Sequence, residues 1–205
     1  MQTTNEKVHI AEAVKKEMLD LLFLKARTHH AWLDRSVDDQ LLKQAYDLAR
    51  MGPTSANDNP MRLAFIKSKE AKDRLKPALS PGNIDQTMSA PVTAIIVYDL
   101  EFYEHLSKLF PHTDAKSWYV GKPELIFNTA FRNGTLQGAY YMLACRALGL
   151  DVGPMSGFDN DILDKEFFAG TAYKSNFLCN IGYGDPSKLH PRGPRFEFKE
   201  IAKIL

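Results

Sequence analysis

Short polar segments and two arginines hold the residues of this chain that could bind a ligand. The segments are Arg-Thr-His-His at residues 27–30, Pro-Thr-Ser-Ala-Asn at 53–57 and Gly-Pro-Met-Ser-Gly at 153–157, and Arg192 and Arg195 lie near the end of the chain. Arginine donates through a fork that fits phosphate or carboxylate, and glycine-rich turns leave backbone N–H groups free. These residue types favour binding over nucleophilic chemistry, although each segment alone could be an ordinary loop or solvated charge.

Three amide side chains add hydrogen-bonding groups to this set. Asn83 follows a Pro-Gly turn, whereas Asn133 and Gln137 interrupt the apolar pattern of a long predicted helix. Residues four apart share one face of a helix, so we expect Asn133 and Gln137 side by side. A polar pair of this kind either contacts a ligand or satisfies hydrogen bonds within the core.

Motifs of metal, hydrolase and nucleotide-binding proteins are weak or missing in the sequence. His29 and His30 are adjacent and would point about 100° apart on a helix, and neither cysteine has zinc-site spacing, so no metal site is predicted. Pro154 stands where a serine-hydrolase elbow needs glycine, which leaves a hydrolase as a weak alternative. The Gly-Tyr-Gly at residues 182–184 is closed by Asp-Pro and matches no phosphate-binding fingerprint.

Composition and charge narrow the class of protein further. The chain has 205 residues, 26 Lys plus Arg against 25 Asp plus Glu, and a formal net charge of +1, which argues against a nucleic-acid partner. The longest apolar run covers residues 139–145, whereas a membrane helix needs roughly 20 such residues, so no membrane partner is expected. Without an apolar leader, we expect a cytoplasmic protein whose Cys145 and Cys179 are reduced.

The elements that must position these residues can be predicted from periodicity. Apolar residues at threes and fours predict a helix over residues 9–27 and a second helix that begins after Ser36 and ends at Gly52-Pro53. Branched and aromatic residues predict strands over 62–68 and 91–98, the second one buried on both faces. A short helix over 68–79 and a turn at Pro81-Gly82 connect the two strands.

The second half of the chain is predicted to hold one long helix and two further strands. Residues 101–121 indicate a helix plus irregular cover, and residues 123–150 a buried helix that ends at a glycine cap. A short strand and turn over 151–158, a helix over 161–168 and a strand over 176–183 follow. Prolines after Gly184 predict an extended, non-helical tail. We find no linker and treat residues 1–205 as one domain.

Taken together and in this order, these motifs resemble those of the nitroreductase family of FMN-dependent oxidoreductases. Within that family, they resemble the malonic semialdehyde reductase branch. The resemblance runs from about Leu22 to Leu205. Five stretches carry it, residues 26–32, 52–60, 131–137, 147–159 and 177–186, and the Gly-Pro-Met-Ser-Gly-Phe-Asp at 153–159 is the most specific. The resemblance implies an α+β fold with a mixed sheet flanked by helices. It also implies an interlocked homodimer with two FMN sites built from both chains, in which the tail, residues 185–205, embraces the partner.

The resemblance assigns roles to individual residues. Arg27, Thr28 and Arg192 would approach the FMN phosphate, with His30 where the family usually has Lys or Arg. Because position 26 is Ala, the phosphate site has less permanent charge than usual, and Arg195 would compensate. The remaining cofactor residues would surround the ribityl chain and the ring: Thr54, Ser55 and Asn57 from the other subunit, then Asn83, Asn133, Pro154, Met155, Ser156 and Gly157.

The implied activity is hydride transfer in a ping-pong cycle, from NADH or NADPH through FMN to a second substrate. The cofactor performs this chemistry, so no catalytic side chain is expected, and the backbone N–H groups of Ser156 and Gly157 would lie near flavin N5. The branch implies a small aldehyde acceptor such as malonic semialdehyde, reduced to 3-hydroxypropionate, with Arg132 or another cation holding its carboxylate. Nitro compounds and quinones are the broader family alternative. A flavin-binding protein with little turnover and a flavin-free dimer remain open.

Overall fold

A four-stranded antiparallel sheet forms the centre of residues 13–205, the part of the chain that this computed structural model describes. Its strands are β1 (Met61–Ile66), β2 (Val92–Asp99), β3 (Asp151–Met155) and β4 (Tyr173–Gly182), and their order in the sheet is β1-β2-β4-β3. Every residue of β2 is buried, as expected for a central strand covered on both faces. The α+β fold class predicted from the sequence is confirmed, but the expected mixed sheet is not found, because all neighbouring strands of this sheet are antiparallel.

One face of the sheet is covered by the long helix of the chain. Helix α6 (Pro123–Ala147) packs with α2 (Asp39–Ala49) over the side chains of Ala94 and Ile96. A Cβ added at Gly138 would lie 2.7 Å from the Phe177 ring, so a glycine is needed for α6 to lie this close to the sheet. Gly149 ends the helix with φ 78°, which confirms the predicted glycine cap.

The other face and one end of the sheet carry smaller helices. Helices α3 (Lys69–Leu75), α4 (Ile84–Ser89) and α7 (Asn160–Phe167) flank the side of the sheet onto which Ile95 and Val97 point. Alternate residues of β2 therefore enter different cores, as its two-residue period requires. Residues 101–121 form two short turns around α5 (Leu106–Leu109) and bury Phe102 and Tyr119 in a third cluster, as predicted.

The first helix is shorter than the sequence pattern predicted. Helix α1 (Lys16–Leu19) continues directly as a π-helical turn, Asp20–Leu24, and the chain leaves the helix before Arg27. Residues 13–15 are not helical, and the predicted part at residues 9–12 lies outside the described residues. The early end has a clear cause, because Thr28 forms a bridge to Val152 and the His29 N–H donates to the Val152 carbonyl at 3.2 Å.

The tail is extended over most of its length, but the expectation that it is non-helical was wrong at two places. A 3₁₀ turn covers Pro186–Lys188, and a short helix, α8 (Phe198–Ile201), follows the last proline. Glu197 and Glu200 form a reciprocal capping box, which satisfies the backbone at the start of α8. Proline is tolerated in the first turn of a helix, as at Pro186, and the residues beyond Pro194 contain no proline that would exclude a helix.

Other element boundaries moved by a few residues. Strand β4 begins at Tyr173 and ends at Gly182, and the helix predicted over 68–79 ends at Leu75 and continues as a 3₁₀ turn, Lys76–Ala78. Pro77 lacks a backbone N–H, so it cannot continue the α-helical ladder. Within residues 13–205 no helix is both long and apolar enough to cross a bilayer.

Candidate functional site

A cationic cavity of about 330 Å³ lies between residues 23–30, the end of α6 and the tail. Five of the residues predicted to hold a cofactor line this cavity, and more than a hundred positions of sequence separate the first of them from the last. They are Arg27, Thr28, His30, Arg192 and Arg195. We call this the basic cavity. No Asp or Glu lies among the residues that line it.

The arginines of the basic cavity bind backbone carbonyl groups rather than carboxylates. Arg192 Nη2 donates to the carbonyl oxygens of Leu24 and Ala26, both at 2.9 Å, and Arg27 donates to the carbonyl of His190. Within residues 13–205, none of the cavity's guanidinium groups forms a salt bridge. Several positive charges thus share one cavity without a counter-charge, an arrangement that a bound phosphate stabilises.

Arg146 also lines the basic cavity, and the sequence reasoning missed it. It lies in the last turn of α6, half-buried, and its Nη1 donates to the Leu22 carbonyl at 3.3 Å. Burial lowers the pKa of Arg146, and the neighbouring charge of Arg192 acts in the same direction. A basic residue in the last helical turn is common because it complements the helix dipole, so the sequence offered no signal that this one faces a cavity.

A second group of predicted residues is linked to the basic cavity through His30. The Nδ1 atom of His30 lies 2.6 Å from Gln86 Oε1, and the Gln86 amide in turn donates to Asn83. Asn83 Nδ2 donates to the Gly157 carbonyl at 2.8 Å. Asn83 and the turn that follows β3 therefore lie together. Gln86, which connects Asn83 to His30, was not predicted.

The stretch from Pro154 to Gly157 runs off the edge strand β3. Pro154 and Met155 pair with β4 opposite Cys179 and Leu178, and Met155 Sδ accepts a hydrogen bond from Thr87 at 3.4 Å. Ser156 is exposed beyond the end of the strand. The turn thus presents its backbone at the surface near Asn83.

The loop that contains Thr54, Ser55 and Asn57 lies apart from the basic cavity, none of whose lining residues belongs to it. The Ser55 N–H donates to Asn133 Oδ1 at 2.9 Å, and Asn57 Nδ2 donates to the Leu109 carbonyl at 2.8 Å. Asn133 thus belongs with this loop and not with Asn83. Gln137 holds the same segment, since its Oε1 accepts from the Met61 N–H at 2.9 Å.

Asn133 and Gln137 both make hydrogen bonds within the chain, which is the second of the two roles that the sequence left open. Both are buried on one face of α6, as their spacing predicted, and both are hydrogen-bonded to the loop or to the residue that follows it. Their visible role is to fix the loop in place. That support matters because Ala56, Asn57 and Asn59 have φ values of 49°, 52° and 43°, a region that costs free energy for residues other than glycine.

Asp58, in the same loop, is a buried acid. Its side chain is 0% exposed, and neither carboxylate oxygen has a partner in good hydrogen-bond geometry in the described part of the chain. Burial raises the pKa of Asp58 to about 7, and the nearby Thr54 hydroxyl and Asn59 backbone N–H only partly oppose this shift. The loop therefore contains a proton-binding group whose charge changes near neutral pH.

Comparison with known proteins gives consistent matches over nearly the whole chain. The model of the nitroreductase family matches residues 24–183. A protein of Burkholderia lata, provisionally named an NADH dehydrogenase/NAD(P)H nitroreductase, is 63% identical over 186 residues, which are 91% of this chain and 95% of the relative.

Solved structures match the same fold at low sequence identity. A provisionally named NAD(P)H:FMN oxidoreductase of Staphylococcus epidermidis has a TM-score of 0.82 at 17% identity, covering 95% of this chain and 98% of that chain. A provisionally named nitroreductase of Exiguobacterium sibiricum, solved in complex with FMN, has a TM-score of 0.81 at 16% identity, covering 95% of this chain and 100% of the other. At these identities the likeness is one of fold.

Proposed function

The chain belongs to the nitroreductase family, and from that premise we propose that it is an FMN-dependent oxidoreductase that takes reducing equivalents from NADH or NADPH. The relative from Burkholderia lata carries a name of this kind, and it covers almost the same length as this chain. The observation in the structure that carries the proposal is the basic cavity, which contains guanidinium groups and no acidic residue.

The residues of the basic cavity fit the phosphate of FMN. Arg27, Arg146 and Arg192 come from three different elements, and the backbone carbonyls that they contact hold their guanidinium groups in place. A doubly charged phosphate accepts several short, charge-assisted hydrogen bonds at once, which suits such a cluster. Position 26 is Ala and brings no charge to the phosphate site. Arg146, from α6, supplies a positive charge there instead.

The neighbouring group fits the polar edge of a flavin ring. Asn83 and Gln86 present amide groups beside the turn at Ser156 and Gly157, and His30 connects them to the basic cavity. When bound, FMN supplies the hydride chemistry, so the task of these residues is to bind and orient it. The Asn83 contact with the Gly157 carbonyl holds the turn at a fixed distance from α4, and this fixes where the turn's backbone N–H groups point.

The separate position of the Thr54–Asn57 loop supports a site shared between two chains. If Thr54, Ser55 and Asn57 contact FMN, a second copy of the chain must bring them to the basic cavity of the first. Asn133 would then act from the same subunit as that loop, since it holds Ser55. We therefore propose a homodimer with two equivalent sites, each built from the basic cavity of one chain and the 54–59 loop of the other.

The acceptor that we propose is a small aldehyde such as malonic semialdehyde, reduced to 3-hydroxypropionate. This assignment is supported by the resemblance of residues 147–159 to that branch of the family. A broad NAD(P)H-dependent reductase of nitro compounds and quinones is the second candidate, and the name of the Burkholderia lata relative favours it.

One experiment tests the activity directly. The purified protein, saturated with FMN, is mixed without oxygen with NADH or NADPH, and the visible absorbance band of the flavin is followed. We expect the band to bleach and to return when an aldehyde, a nitro compound or a quinone is added. A protein that binds FMN but does not bleach is a binding protein with little turnover, and one that binds no FMN contradicts the whole proposal.

A further inference from the structure

A second polar cavity, of about 540 Å³, lies beside the loop that contains Asn57. Its walls come from the end of α2, the start of β1, Gln137 of α6 and the segment around α5. We call it the α5 cavity. Because Asn57 and Asn59 line it, this cavity adjoins the loop that the proposed function assigns to the cofactor.

The lining of the α5 cavity is positively charged. Arg50, Arg62, His105 and Lys108 line it, and no Asp or Glu does. The Arg62 guanidinium forms a salt bridge with the Asp99 carboxylate at 2.7 Å. Arg50 makes only a 3.5 Å contact with the exposed Asp47, a weak pair in high dielectric.

Lys108 is the cation best placed to bind a ligand. Within residues 13–205 its ammonium group takes part in no salt bridge. The hydrogen bond from Asn57 to the carbonyl of Leu109, at 2.8 Å, fixes the residue next to Lys108 against the loop. The cation is therefore tied to the same loop that would contact FMN.

We propose that the α5 cavity binds the carboxylate of an anionic acceptor, with Lys108 and Arg50 supplying the charge. This inference rests on the proposed function and assigns the residues that would hold the carboxylate of its acceptor. Met51 and Leu109 line the same cavity and offer apolar contact for the carbon chain of such an acceptor. Arg132, the candidate cation from the sequence, is exposed on α6 and does not line the cavity.

The test compares two acceptors that differ mainly in charge, 4-nitrobenzoate and 4-nitrotoluene, with the FMN-loaded enzyme and NAD(P)H. We expect Lys108→Met to lower kcat/KM for 4-nitrobenzoate by about tenfold or more, the loss typical of one charged contact, with 4-nitrotoluene changed by less than about twofold. Arg50→Met should act in the same direction. Lys165→Met, an exposed lysine of α7, is the matched control and should leave both values unchanged.

A binding measurement keeps the inference testable without turnover. Calorimetric titration of the FMN-loaded protein with 4-nitrobenzoate should show weaker binding to Lys108→Met and unchanged binding to Lys165→Met. Equal affinity of the wild type and Lys108→Met, or a loss that occurs in Arg132→Met instead, overturns the assignment to this cavity. If NADH and NADPH do not bleach the bound flavin, while 4-nitrobenzoate still binds and Lys108→Met weakens that binding, the proposed function is overturned and the anion site stands.

Discussion

Individual arginines in the basic cavity should control the affinity for FMN. We expect Arg27→Ala, Arg146→Ala and Arg192→Ala each to raise the Kd for FMN by roughly 10- to 100-fold, because a hydrogen bond to a charged group contributes about 1.5–3 kcal/mol. Equilibrium dialysis against FMN measures the Kd, and circular dichroism checks the fold. Arg132→Ala, which removes an exposed arginine outside the cavity, is the control. Unchanged affinity in all three cavity variants would refute the phosphate assignment.

Asp58 should make stability depend on pH. An aspartate titrates near ~3.9 in an unfolded chain, whereas burial raises the pKa of Asp58 to about 7 in the folded protein. Between these values the folded state keeps a proton that the unfolded state has lost, so stability falls as pH rises through this window, by at most ~1.4 kcal/mol per pH unit. Above this pH window the loss of stability is complete.

The matching variant is Asp58→Asn, which stays neutral at every pH in this range. We expect its Tm, measured on the FMN-saturated protein, to rise relative to that of the wild type between pH ~5 and ~7, and the difference then to level off. A Tm difference that does not change with pH would contradict the burial of an ionisable Asp58. The absolute difference is less informative, because the new amide also needs hydrogen-bond partners.

The sequence identified residues whose types could bind a cofactor, but it did not identify the tertiary contacts that surround each of them. Arg27 and Arg192 could be proposed because the resemblance to a family assigns both to one phosphate site, and the structure brings them into one cavity. Arg146 and the burial of Asp58 depend on tertiary contacts with residues more than a hundred positions away or with other loops, and local spacing carries no record of such contacts. The pairing of Asn133 with Ser55 has the same origin.

Among the elements, the contact between the residue 28–30 segment and β3 is the one that shapes the candidate site. A Cβ added at Gly153 would lie 2.3 Å from the backbone carbonyl oxygen of His29, so the two backbones can approach only with glycine there. We expect Gly153→Ala to push the segment that carries Thr28 and His30 away from β3. The destabilisation should be about 1–3 kcal/mol, the usual cost of overpacking, and FMN affinity should fall with it.

Urea unfolding and FMN titration of Gly153→Ala check this expectation. Gly82→Ala is the control, since a Cβ at Gly82 meets nothing within 4 Å and its φ is not positive. Full FMN affinity and wild-type stability in Gly153→Ala would mean that the segment can shift without affecting the site. The sequence predicted a short strand and turn over 151–158, but it could not predict this contact. The same contact ends the first helix before residue 27, where periodicity had extended it.

Considered as a whole molecule, the single chain leaves its tail without a core of its own. Phe196, Phe198 and Ile201 are 75%, 66% and 70% exposed, and Phe23 and Leu24 are exposed as well. Apolar side chains in such number at the surface of one chain favour burial against a second copy. The α+β sheet was predictable because each strand and helix carries its own period. The homodimer stays a prediction. The packing of two chains against each other, unlike a helix or a strand, produces no regular spacing of apolar residues in the sequence.

Removing the tail after Gly184 should therefore affect assembly and cofactor together. The truncated chain loses Arg192 and Arg195 from the basic cavity and the apolar side chains of residues 196–205. We expect light scattering to give the mass of a monomer and the purified protein to carry little FMN. Full-length Arg192→Ala separates the two effects, because it should lose FMN affinity while it remains dimeric. A truncated chain that is monomeric and still fully loaded with FMN would contradict a site shared between two subunits.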